Sequence, residues 1–168
     1  MPLLRCRLSD RQTGAGADGE RLRFVFRNFP IATSHPHAEQ AAEAAEAAAA
    51  QGRFWEMHDF LYEHQRHLET ADVHAYAEEL GLEVDRFDRE LAEHAHTARV
   101  REDFMSGVRS GVNGTPTFYV NGKRHDSSYD IDTLLSAQEL LQITLSDEPG
   151  KPGSSCTVLD GLVGAVGC

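Results

Sequence analysis

The chain has 168 residues, 40% of them hydrophobic and 26% charged, which is ordinary for a globular protein and enough for one domain with its own core. A formal net charge of -11 and a pI near 5.2 leave no basic surface of the kind that phosphate backbones or anionic lipids require, so neither nucleic acid nor membrane is expected as a partner. No segment approaches the roughly twenty apolar residues that cross a bilayer, and Met1-Pro2-Leu3-Leu4-Arg5 lacks the apolar stretch of a signal peptide, so the chain as written reads as cytoplasmic.

Met1 to Asp18 shows neither helical nor strand periodicity and runs into Gly14, Gly16 and Gly19; residues 1–19 read as unstructured. Leu22 to Phe29 follows as a strand, with Leu22, Phe24 and Phe26 on one face and Val25 adding apolar character to the other, the pattern of an internal strand. Pro36 then opens an alanine-rich helix to about Gly52. Phe54, Met57, Phe60 and Leu61 mark one face of a second helix, and Thr70 or Asp72 caps a third that ends at Gly81. The spacing of Phe87, Leu91, His94 and Val100 predicts one long fourth helix from Val84 or Asp85 to about Val108.

The next stretch is the most informative. Asn113-Gly114 is a turn pair, Pro116 stands at a strand entrance where a missing N–H is tolerated, Thr117 to Val120 is a β-branched and aromatic run, and Asn121-Gly122 permits a two-residue hairpin into Lys123-Arg124-His125. X-Pro bonds are the ones for which a cis isomer costs little. Ile131, Leu134, Leu135 and Leu141 recur at helical spacing and predict a closing helix, and residues 146–168, which open with a Pro, Gly and Ser-rich linker, read as a flexible tail.

Gly111-Val112-Asn113-Gly114-Thr115-Pro116-Thr117-Phe118, with its strand, hairpin and closing helix, resembles the cis-proline segment of the DsbA-like thiol-disulfide oxidoreductases, which have the thioredoxin fold. A second block is similar to the same family: Phe24-Val25-Phe26-Arg27-Asn28-Phe29-Pro30, His35-Pro36-His37-Ala38, and Gly52-Arg53-Phe54-Trp55-Glu56-Met57-His58. The resemblance implies an α/β thioredoxin-like sheet over residues 20–145 with a helical subdomain inserted at about 36–109. It also implies a cis Thr115-Pro116 bond, and a docking role for Thr115 and Pro116, with Thr115 offering its backbone to an extended, cysteine-containing protein or peptide.

The chemistry of that family needs a low-pKa thiolate and a resolving cysteine, a Cys-x-x-Cys at a helix N-terminus. The three cysteines here, Cys6, Cys156 and Cys168, have no such spacing, so the resemblance implies an N-terminally incomplete member with no catalytic residue. One explanation is a shifted reading frame. If ATG-CCN encodes Met1-Pro2, the next frame begins with a cysteine codon, and synonymous codons through Gln12 permit Cys-Pro-Tyr-Cys-Gly-Ala-Ala-Tyr-Pro-Ile-Val. Residues 1–19 would then be an out-of-frame remnant, unable to replace the first strand and active-site helix that the family packs against Leu22 to Phe29. Two alternatives are a non-catalytic thioredoxin-like peptide-binding domain and a glutathione-dependent relative using Ser9 or Ser34. No cofactor is expected. The nine histidines include the pairs His35/His37, His64/His67 and His94/His96, but no His-Glu-x-x-His occurs, so they read as surface residues and no metal is expected.

Overall fold

The computed structural model describes residues 22–120, 122–126, 133 and 157–162. These form two compact units: a helical one spanning Asn28–Thr115, and a sheet to which the chain contributes on either side of it.

The helical unit contains α1 (Ala38–Ala49), α2 (Phe54–Glu63), α3 (Thr70–Glu79), α4 (Val84–Ala92) and α5 (Thr97–Arg109). Eight of the twelve α1 residues are buried, so this helix is surrounded by its neighbours. Alanine suits that place, because a methyl side chain lets adjacent backbones approach closely while costing no side-chain entropy. Met57, Leu61, Val73, Tyr76, Leu82 and Phe87 complete one hydrophobic cluster around it, and the Tyr76 hydroxyl donates to the His67 carbonyl at 2.8 Å. The N-terminus of α3 is a capping box in which Glu69 is the cap and Asp72 accepts the Glu69 N–H at 3.1 Å; Thr70 is the first helical residue.

The predicted single helix from Val84 to Val108 is two helices. Glu93–His96 breaks it, and His94 takes a left-handed φ of 52°. His94 N–H bonds to the Leu91 carbonyl at 3.1 Å and Ala95 N–H to the Glu90 carbonyl at 2.9 Å, the pair of contacts that ends a helix in a Schellman turn. The same turn ends α3 at Gly81 and α5 at Gly111, both with positive φ. Sequence reading missed the break because the left-handed position here holds histidine, not glycine.

The sheet has four described strands, β1 (Leu22–Arg27), β2 (Thr117–Val120), β3 (Lys123–His125) and β4 (Thr157–Leu162), in the order β1-β4-β2-β3. β4 runs parallel to β1 from Leu22↔Thr157 to Arg27↔Leu162, and antiparallel to β2 from Thr117↔Leu162 to Val120↔Leu159. β2 and β3 form the expected hairpin, closed at Val120↔Lys123, with Gly122 at φ 78°. The two segments expected to share a sheet do so, with β4 between them.

Two expectations change. β1 is an end strand of the described sheet, not an internal one: apolar residues on both its faces report burial of those faces, whereas the strand order is set by backbone pairing. The stretch read as a flexible tail contributes β4, for which Thr157-Val158-Leu159 has suitable strand residues. β4 also lies on β1, where the resemblance requires a strand from upstream. Val25 and Phe26 are half-buried. The expected remnant at 1–19, the linker at 146–155 and, apart from Thr133, the closing helix fall outside the described residues.

Candidate functional site

The Schellman turn of α5 delivers the chain to the Thr115-Pro116 segment. Gly111 reverses the backbone, Val112 N–H bonds to the Gly107 carbonyl at 3.0 Å, and Val112 is buried, which fixes where the loop leaves the helix. Asn113 is exposed, and Gly114, Thr115 and Pro116 are half-buried. Thr115 closes the helical unit and Pro116 opens the sheet unit. From Thr117 onward the strand is pinned: Thr117, Phe118 and Val120 are buried, and the ladder to β4 starts at Thr117. Thr115 therefore stands two residues before the first residue of that ladder.

In the helical unit, the residues that follow β1 are held by a polar network that sequence reading did not find. Asn28 donates its backbone N–H to Asp103 Oδ2 at 3.1 Å and its amide to Glu46 Oε1 at 2.6 Å, while Arg99 Nη1 lies 3.2 Å from Asp103 Oδ1. Asp103 is 1% exposed, so its charge is balanced by Arg99 and the Asn28 N–H. Burial holds the Glu46 carboxyl above its ordinary range, opposed by Arg99 and reinforced by Asp103. Phe29 stacks on Phe104 with ring centroids 4.5 Å apart. No local motif encodes these contacts, because Asn28 and Asp103 lie far apart in the sequence.

Four of the nine histidines are tied to carboxylates: His58 to Asp59 at 2.9 Å, His74 to Asp88 at 2.8 Å, His94 to Glu43 at 3.0 Å and His96 to Glu90 at 2.8 Å; His64 Nδ1 is instead on the Phe60 carbonyl at 2.9 Å, and His125, expected at the surface, is buried. The hydrogen bond from His96 draws the Glu90 carboxyl below its usual value. Burial pushes the Tyr62 hydroxyl well above the ordinary tyrosine range. Among the described residues, no three His, Cys, Asp or Glu side chains are grouped to hold a metal ion. Ser34 is exposed in the turn after Ile31, its N–H on the Ile31 carbonyl at 3.0 Å, and α1 starts later with His37 as its cap. Ser9, Cys6, Cys156 and Cys168 lie outside the described residues.

Residues 12–139 match the family model described as Thioredoxin, which covers most of the chain. The chain belongs to the thioredoxin family. Its thioredoxin-like fold agrees with the mixed α/β architecture above. Thioredoxin-family sequence of this kind also occurs in proteins named as transporters. The chain is similar to "Na(+)/H(+) antiporter NhaA 1" of Salinispora arenicola, 50% identical over 120 residues, and to "Na(+)/H(+) antiporter NhaA 3" of Salinispora tropica, 49% identical over 120 residues; each match takes in 71% of this chain and 18% of the relative. "Na(+)/H(+) antiporter NhaA 1" of Mycobacterium sp. (strain KMS) is 41% identical over 141 residues, 80% of this chain and 23% of that protein. The chain thus spans about a fifth of the length of these relatives. No solved structure matches it. Among the described residues, no helix is long and apolar enough to cross a membrane.

Proposed function

We propose that this thioredoxin-family chain is a DsbA-like domain that docks extended, cysteine-containing polypeptides at Thr115-Pro116 and, as written, does not exchange their disulfides. The observation that carries the reading is the position of Thr115, at the mouth of β2 and just upstream of the ladder that begins at Thr117. With a cis Thr115-Pro116 bond, the Thr115 N–H and C=O would pair with one residue of the incoming chain as an added strand does. Turnover needs a thiolate and a resolving thiol at Cys-x-x-Cys spacing, and the sequence has none.

Two assays test this together. The purified chain should leave insulin disulfides unreduced in the presence of dithiothreitol beyond the uncatalysed rate, and Thr115→Pro, which removes the docking N–H, should abolish binding of a cysteine-containing peptide. Catalysed reduction that disappears on Cys6→Ser would overturn the first half of the proposal; unaltered peptide binding by Thr115→Pro would overturn the second.

The relatives' names favour a second reading, in which the docked partner is a Na(+)/H(+) antiporter. The identity to those proteins supports it. Co-purification of the tagged chain with such an antiporter from detergent extracts, reduced by Thr115→Pro, is the expected result; antiporter recovery no greater than that of an unrelated membrane protein would count against it.

A further inference from the structure

We propose that the helical unit carries a separate docking site, an open groove of about 1290 Å³ lined by α1, α3, α4 and the start of α5, which takes a lysine or arginine side chain of a partner polypeptide. The groove lies wholly within Asn28–Thr115, and the proposal stands whether or not Thr115 docks a peptide.

Its charged lining has one sign. Glu39, Glu43 and Asp88 face it, with no lysine or arginine among the lining residues, on a chain whose formal net charge is already -11. A cation entering it is therefore attracted by the lining and by the protein as a whole. The three carboxylates have different roles. Glu43 is buried and accepts hydrogen bonds from the Thr97 hydroxyl and from His94 Nδ1, so it is fixed in place. Glu39 is exposed and Asp88 is 44% exposed, so these two can meet an incoming ligand without rearrangement of the core.

The two histidines do not reverse this sign. His94 Nδ1 lies 3.0 Å from Glu43 Oε2, so a proton carried there is offset by that carboxylate. His74 is flanked by Asp88 at 2.8 Å and Glu78 at 3.7 Å, which together outweigh one imidazolium. Between the polar groups, Ala71, Leu91 and Ala92 supply apolar wall. A long side chain with a methylene stem and a cationic head matches both parts, whereas a metal ion or a small inorganic cation would leave the apolar wall unused. A lysine or arginine on an extended segment has that chemistry.

The probe is a blocked leucine-arginine-leucine tripeptide, titrated into the full chain and followed by amide chemical shifts. Its counterpart has citrulline, neutral and nearly isosteric, in place of arginine. We expect saturable binding of the arginine peptide, with shifts at Glu39, Ala71 and Leu91, about tenfold weaker binding of the citrulline peptide, and weakening by added salt. Glu39→Gln with Asp88→Asn should reduce affinity by about tenfold, and the exposed single change Glu39→Lys should do so while the chain still unfolds cooperatively, its thermal midpoint lowered only slightly by the loss of a carboxylate from the first turn of α1. No saturable binding of the arginine peptide, equal affinity for the two peptides, or undiminished binding by Glu39→Lys would each overturn the proposal.

Discussion

The helical unit and the sheet reach their order by different routes. In Asn28–Thr115 successive helices from α1 to α4 pack on one another while α1 also meets α4 and α5, a single cluster runs from Ala41 to Phe87, and the turns after α3 and α5 are set by a glycine at the end of the helix. In the sheet, β1 is joined to β2 only through β4 among the described strands, and β4 comes from the far end of the chain, with Leu22 opposite Thr157. Contacts between neighbours in sequence need little loop closure, while the β1–β4 ladder must first close a loop of nearly the whole chain. The helical unit therefore closes shorter loops than the sheet, which depends on β4.

Ending the chain before Cys156 is the strongest way to break this contrast. Removal of β4 leaves β1 without its described partner and strips one edge of β2, at a net cost of roughly 1 kcal/mol for each ladder bond lost from the two registers. Hydrogen exchange should show protection lost over Leu22–Arg27 and Thr117–Val120 but retained at Val73 and Ala77. Equal loss in both places would mean that the two units unfold as one.

The converse change is Phe87→Ala. Phe87 is fully buried, and its truncation should cost about 3–5 kcal/mol, measured by urea unfolding, with protection lost first in the helices. A smaller effect is expected for Gly81→Ala, at about 1 kcal/mol, because Gly81 has φ 68° and an added Cβ meets no atom nearby, so the cost is backbone strain alone.

The smallest effects depend on pH and have opposite signs. Glu90 has a depressed folded pKa, so its contribution is present above the unfolded carboxylate pKa and disappears as pH falls through the folded one; Glu90→Gln should lower the thermal midpoint at pH 7 and converge with the parent in acid. Glu46 is raised by burial, so its ionisation opposes folding at neutral pH and that penalty fades as pH falls; Glu46→Gln should raise the midpoint slightly at pH 7 and lose the advantage in acid. Parallel pH profiles for the two variants would contradict these assignments.

The same contrast governs what could be read in advance. The alanine-rich run of α1, the Phe54–Leu61 stripe of α2, Gly81 as a helix stop, and the Asn121-Gly122 hairpin are local signals, and the structure follows them. The break at His94 was not legible because a histidine in the left-handed position carries no glycine signature. β4 was passed over because the Pro, Gly and Ser residues of 146–155 dominate their surroundings, and pairing between Leu22 and Thr157 leaves no trace in either segment alone. Thr115 and Pro116 are proposed from their motif, whereas the Asn28–Asp103–Glu46 network and the carboxylate-lined groove exist only once distant helices are brought together.

Docking without exchange at Thr115 is most directly tested by titrating the isotope-labelled full chain with an extended peptide carrying an intramolecular disulfide, in the presence of dithiothreitol. The Thr115 amide should shift saturably while mass spectrometry shows the peptide disulfide reduced no faster than without protein. A Thr115 amide that does not respond, or peptide reduction accelerated by the chain, would contradict the account.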